Sequence, residues 1–223
     1  MGVVSPGSLS RACVAAVLVS ACASHDTTPS ASGDGTGTTT SPQLPQGGDY
    51  PAGPFGLNVG QVFPRMQLLG YHAGLAPWTT VDTKDYFDPH GLRGINGIYI
   101  TVSAPWCSGC KLEGQQLPVL WNTQYKARGG RIVTVLLQGA LYEPASQATA
   151  DAWIAAYSTP YDLAVGDVAT MLPSRATSSG GVGLPYNYAV DPRTMRIMAI
   201  DSGDYFHGDA LPGLDAILAQ NAK

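Results

Sequence analysis

Charge is what this chain has least of. Asp, Glu, Lys and Arg make up 13% of its 223 residues, Lys and Arg together number 12, and the formal net charge is −4. Such a chain has no basic face with which to neutralise phosphates, so nucleic-acid binding is excluded. A Gly-rich phosphate loop is missing, as is any Ser/His/Asp motif of recognisable spacing. His72, His90 and His207 stand singly, with no His-x-x-x-His pair, and no second cysteine pair exists to complete a zinc site. None of these patterns requires a cofactor or a metal. No internal repeat is visible. Apolar side chains, by contrast, reach 44%, enough for the core of one mixed α/β domain of ordinary size.

The chain opens with a segment that does not read as part of that domain. Residues 1–21 have the form of an export signal: Arg11 is the only basic residue, and Ala12–Val19 is an apolar core too short to span a bilayer. It ends in Val19-Ser20-Ala21-Cys22, which resembles the lipobox of bacterial lipoproteins. The resemblance implies cleavage before Cys22, a diacylglyceryl group on its sulfur and an acylated amine. An ordinary secretory signal cleaved near Ala21 or Ala23 is the alternative. Residues 22–49 are Ser, Thr, Gly, Pro and Asp with almost no large apolar side chain, which predicts a flexible tether. More than one acyl chain, at about 0.8 kcal/mol per buried CH₂, anchors a protein without a transmembrane helix. The expected location is therefore the cell envelope, facing the periplasm or the exterior. Residues 50–223 are the expected folded domain.

On the lipobox reading Cys13 would leave with the signal and Cys22 would take the lipid, so Cys107 and Cys110 would have only each other. They form a Cys-x-x-Cys between an apolar strand, Asn96–Ser103, and a run from Ser108 to about Arg128 with helical spacing in Leu112, Leu117, Leu120 and Trp121. The first thiol sits at a helix N-terminus, where free N–H groups and the macrodipole favour a thiolate. The second lies one turn inside and can attack a mixed disulfide formed by the first. Beside a βαβ pattern this spacing reads as a redox motif. Half a zinc site and a structural disulfide are the competing readings. The first lacks further ligands, and the second closes too short a loop to remove much unfolded-state entropy.

Elsewhere, Val59–Gly70 alternates and predicts an N-terminal strand or hairpin, and Asp82–Gly94 is turn-rich. Arg131–Gln138 is a continuous apolar run suited to a central parallel strand. Gln147–Tyr157 reads as a crossover helix, with Ala148, Ala152, Trp153, Ala156 and Tyr157 as its apolar face. Tyr161–Val165 reads as a short strand, Tyr186–Val190 and Met195–Ile200 as a hairpin, and Ala210–Ala222 as a closing helix. This order implies a mixed sheet with helices on both faces.

Three stretches resemble the thioredoxin superfamily, in particular its exported TlpA/ResA-like thiol–disulfide oxidoreductases. Ala104-Pro105-Trp106-Cys107-Ser108-Gly109-Cys110-Lys111-Leu112-Glu113 is close to W-C-x-x-C-[KR]-x-E. Gly60–Pro64 is similar to the G-x-x-x-P that opens the N-terminal extension. Gly183-Leu184-Pro185 matches the cis-proline loop. The resemblance covers residues 50–223 and implies a thioredoxin-like α/β fold with an N-terminal strand or hairpin extension. It implies an exposed nucleophile at Cys107, a buried resolving thiol at Cys110, and Trp106 as an apolar cover presented to a partner. It also implies a cis Pro185 that holds the Leu184 backbone beside Cys107 for pairing with an incoming chain.

Two positions depart from the family. Thr101 stands six residues before Cys107, where a buried acid or amide is common, and cannot act as a base. Glu113, three residues after Cys110, is the expected substitute, with a solvated helix carboxylate as the plain alternative. The helix proline is displaced to Pro118, Gln115 taking its usual place. The implied activity is reduction of disulfides in exported partner proteins, with electrons from another membrane protein. An oxidase or isomerase is the main alternative. Peroxide reduction is disfavoured by Ile100 in the place of a required proline. Copper handling is disfavoured by the two-residue spacing and by His207 as its only support.

Overall fold

The computed structural model describes residues 49–173, 183–203 and 210–222. The expected leader 1–21, Cys22, the tether up to residue 48, and His207 lie outside them. The strands are β1 (Gln67–His72), β2 (Leu75–Asp82), β3 (Gly97–Ser103), β4 (Gly130–Leu136), β5 (Asp162–Val165), β6 (Tyr186–Val190) and β7 (Ile197–Ser202). They form one seven-stranded sheet in the order β2-β1-β5-β4-β3-β6-β7. β3, β4 and β5 are parallel, and every other pairing is antiparallel. β3 is buried at all positions, which is why it reads as an unbroken run of large and β-branched residues.

The N-terminal hairpin differs from its expected span. Residues 59–66 are tied down by isolated bridges from Val62 to Phe55 and Arg196, with Phe63 fully buried. The hairpin itself is β1–β2, turned by Ala73 and Gly74, both left-handed at φ 53° and 65°, as a tight turn between twisted strands requires.

The helices are α1 (Ser108–Leu120), α2 (Gln147–Tyr157), the four-residue α3 (Val168–Met171) and α4 (Pro212–Asn221). Beyond Leu120 the predicted helix continues as a π turn, Trp121–Tyr125, and a 3₁₀ turn, Lys126–Arg128, before left-handed Gly129 ends it. Pro118 lies inside α1 and, lacking an N–H, cannot donate to the turn before it. The buried face of α1 runs through Cys110, Glu113, Gly114 and Leu117, at helical spacing. Leu112, counted with Leu117, Leu120 and Trp121 in the helical spacing, lies off that line and is 46% exposed. On α2 the buried residues are Ala150 and Trp153, while Ala148, Ala152 and Ala156, expected on the core face, are exposed. Burying an indole removes more apolar surface from water than burying three methyl groups.

Alternation along β4 divides the core. Ile132 and Leu136 pack with α1, α2 and α4, whereas Val133, Val135 and Leu137 pack with Phe63, Met171 and Tyr188 on the other side. Two right-handed crossovers advancing in one direction, β3 to β4 to β5, put α1 and α2 on the same face. The N-terminal segment and α3 cover the opposite face. The chain then returns to the far side of β3 to lay down β6. That reversal opens a crevice at the carboxyl end of β3, the usual position of a site in an α/β sheet.

Candidate active site

The crevice receives the Cys-x-x-Cys from one side and the Leu184–Pro185 loop from the other, because β6 runs antiparallel to β3 and begins with Tyr186 opposite Val102. Cys107 is the N-cap of α1, a position usually held by Ser, Thr, Asp or Asn. Its Sγ accepts from the Cys110 N–H at 3.1 Å, so an N–H of the helix terminus points at the sulfur that would carry charge. Cys107 and Cys110 are joined as a disulfide with Cα atoms 5.2 Å apart. The Leu184–Pro185 peptide is cis, and the Leu184 carbonyl oxygen lies 3.3 Å from Cys107 Sγ, within reach of a thiol donor.

The accessibilities amend one expectation. Cys107 is not exposed: it retains 7% of its surface, against 0% for Cys110, because Trp106 and Leu184 pack against the cluster that contains both sulfurs. The ranking is as expected; the degree is not. Trp106 is half-buried. Its indole N–H donates to Gln138 Oε1 at 3.1 Å, and its ring stacks on Tyr142 with centroids 5.0 Å apart.

Glu113 lies on the same face of α1 as Cys110, one turn on. It is not a solvated carboxylate, being 1% exposed. Three side chains from the sheet donate to it: Thr101 Oγ1 at 2.6 Å, Asn187 Nδ2 at 3.0 Å and Tyr99 OH at 3.3 Å. Burial disfavours the ionised form, these donors oppose that effect, and the charge of Asp201 adds to it, leaving the carboxyl pushed up to about 7 from 4.5. Burial and the adjacent Glu113 likewise hold Tyr99 well above the usual tyrosine range. The buried carboxyl therefore comes from the helix, and Thr101, which holds the strand position, donates a hydrogen bond to it.

With this geometry the comparison with known structures is direct. A putative thiol:disulfide interchange protein DsbE from Chlorobium tepidum is similar over 73% of this chain and 99% of its own, at 19% identity and a TM-score of 0.53. The fold is that of thioredoxin. The thioredoxin domain of a thiol-disulfide oxidoreductase from Bacteroides vulgatus matches 75% of this chain and all 100% of its own, at 18% identity and a TM-score of 0.51. AhpC from Enterococcus faecalis shares the thioredoxin fold at 14% identity over 73% of this chain and 90% of its own, with a TM-score of 0.50. No family model and no curated protein sequence matches the chain.

The thioredoxin fold brings together every expected site residue of the domain: Trp106, Cys107, Cys110, Glu113, Leu184 and Pro185. Tyr99, Gln138, Tyr142 and Asn187 were not anticipated. Asn187 alone carries a sequence signal, a strand-averse amide within Tyr-Asn-Tyr-Ala-Val. Among the described residues, no cluster of three or more His, Cys, Asp or Glu side chains is placed to share a metal ion, and no helix is long and apolar enough to cross a membrane.

Proposed function

We propose that this protein is a membrane-anchored extracytoplasmic thiol–disulfide oxidoreductase that reduces disulfides in exported partner proteins. The observation that carries this reading is the Cys107–Cys110 pair at the start of α1 with a buried carboxyl one turn behind it. Cys107 as thiolate attacks a partner disulfide, forming one S–S bond and expelling the partner's second sulfur as a thiolate. Cys110 then loses its proton and attacks Cys107 Sγ, releasing the partner as a dithiol and leaving the pair oxidised. Glu113, with its proton affinity near neutrality, suits the role of the base that takes the Cys110 proton. The interchange and oxidoreductase names of the thioredoxin-fold proteins from Chlorobium tepidum and Bacteroides vulgatus support the same reading. AhpC shares the fold, but in this chain Ile100 occupies the place of the proline that a peroxidatic motif needs.

The reducing direction rests on the surroundings of Cys107. Its thiolate gains one N–H from the helix terminus, but Ser108-Gly109 supplies no cation and the Leu184 carbonyl oxygen faces it. Modest stabilisation of the thiolate keeps the pair reducing. Equilibration with dithiothreitol or glutathione buffers is expected to give a potential nearer ~−270 mV than ~−120 mV. A value above about −180 mV, the isomerase range, overturns the reductase reading in favour of an oxidase or isomerase. A pair this reducing needs an upstream donor, since an oxidising envelope would otherwise hold it as a disulfide.

The anchor is supported by sequence alone. Labelled palmitate is expected to enter the protein in cells, and Cys22→Ser is expected to abolish that labelling. A mature chain with an unmodified residue near Ala23 at its N-terminus would show the anchor to be wrong.

A further inference from the structure

The loop between β4 and α2 presents apolar side chains where a soluble surface has little reason to. Leu141 is 87% exposed and Tyr142 63% exposed. Tyr142 also holds φ at 68°, a left-handed conformation that a bulky residue rarely adopts and that persists only where its surroundings impose it. Here they do. The Gly139 N–H donates to the Glu143 carbonyl at 2.7 Å, and the Leu141 N–H donates to the Glu143 carboxylate at 2.9 Å. The Gln138 side chain donates to the Tyr142 carbonyl at 3.1 Å while accepting from Trp106. One amide therefore couples the residue before the redox cysteine to the tip of the loop, and the Trp106–Tyr142 stack reinforces the coupling. Adjoining it is a cleft of about 400 Å³ lined by Pro105, Lys111, Ala140, Ala152, Trp153 and Tyr157, among others.

We infer that the Leu141–Tyr142 loop and this cleft are an apolar docking site for the cysteine-bearing segment of the exchange partner, holding an aliphatic or aromatic side chain that flanks the partner's cysteine. The inference deepens the proposed oxidoreductase function and rests on it. The occupant follows from continuity: Pro105 and Trp106 lead directly into Cys107, so a partner joined to that sulfur lies against Leu184 on one side and Trp106–Tyr142 on the other. A loop already fixed by hydrogen bonds loses little conformational freedom on binding, so its apolar contact is retained as affinity. Lys111 and Glu143 at the cleft carry opposite charges, which leaves apolar fit as the basis of selection.

The test uses the full chain with Cys13→Ser and Cys22→Ser in every arm, reduced with dithiothreitol and desalted. Its single-turnover rates are measured with a small aromatic disulfide and with two cysteine peptides carrying the same thionitrobenzoate leaving group. One peptide has Leu and Phe beside its cysteine, the other Ser and Gly. The apolar peptide is expected to react about tenfold faster, the effect of burying one such side chain in part. Leu141→Ser and, separately, Ala152→Glu are expected to remove most of that preference while leaving the small disulfide's rate unchanged. Equal peptide rates in the parent, or a preference that survives both substitutions, overturn the docking site and leave the redox reading intact. No reaction with any of the three probes removes the redox reading and the docking site with it. A dimer in sedimentation that Leu141→Ser dissociates assigns the surface to a second copy and overturns the proposal.

Discussion

Replacing Cys110 with alanine is expected to turn a transient exchange intermediate into an isolable one, with partner proteins held through Cys107. Cys107→Ala is expected to trap few or none. The asymmetry has two sources. Only Cys107 retains accessible surface, 7% against 0%, and only Cys107 caps the helix, where its sulfur accepts an N–H. Well-oriented intramolecular groups reach effective molarities on the order of 10⁵ M or more, so removing Cys110 slows release by orders of magnitude relative to millimolar external thiols. Non-reducing electrophoresis and mass spectrometry of captured adducts read this out. Equal trapping by the two variants, or faster alkylation of Cys110 than of Cys107, would remove the proposed division of labour.

The second large effect concerns Glu113. Its carboxyl ionises near 4.5 in the unfolded chain and near 7 in the folded one, chiefly through burial. A folded value raised above the unfolded one stabilises the protein fully below the unfolded value, and that stabilisation is lost as pH climbs through the folded value. At about 1.4 kcal/mol per decade of affinity, the loss between pH 4.5 and 7 is about 3 kcal/mol. Asp82, lowered chiefly by its hydrogen bond from Arg65, works in the opposite sense, so the informative quantity is the difference between Glu113→Gln and the parent. Urea unfolding is expected to show the variant gaining about 3 kcal/mol relative to the parent from pH 4 to pH 8. Over the same range, resolution of the mixed disulfide is expected to slow by about 100-fold at neutral pH and to lose its inflection near 7. A stability difference that does not change with pH would mean that Glu113 titrates as an ordinary surface carboxylate.

How much of this could be read from the chain alone depended on whether the information was local. β3 and β4 announce themselves because strands buried on both faces need continuous apolar runs. β2 does not, because Pro77 interrupts it, and proline is tolerated only where one side of a strand is unpaired. β2 is such an edge. The spacing of Glu113 from Cys110 is local and legible, but its burial is not, since that depends on what the sheet places beneath α1. Asn187 reaches Glu113 across 74 residues only because β6 pairs with β3 so that Asn187 stands opposite Thr101. On α2 the apolar face read from Ala148, Ala152, Trp153, Ala156 and Tyr157 was right only at Trp153, because which side meets the sheet is set by packing that periodicity does not carry.

The pairing of Thr101 with Asn187 also bears on timing. Residues 107–113 leave the ribosome well before residues 184–187 follow them. Until the final hairpin docks on β3, the first cysteine has no Leu184 carbonyl beside it and Glu113 has no amide. In that interval the chain is an ordinary peptide dithiol, without a selective surface and without a base held near neutrality. The proposed chemistry therefore waits on the last strands to be delivered, and a half-synthesised chain has the two cysteines without the site around them.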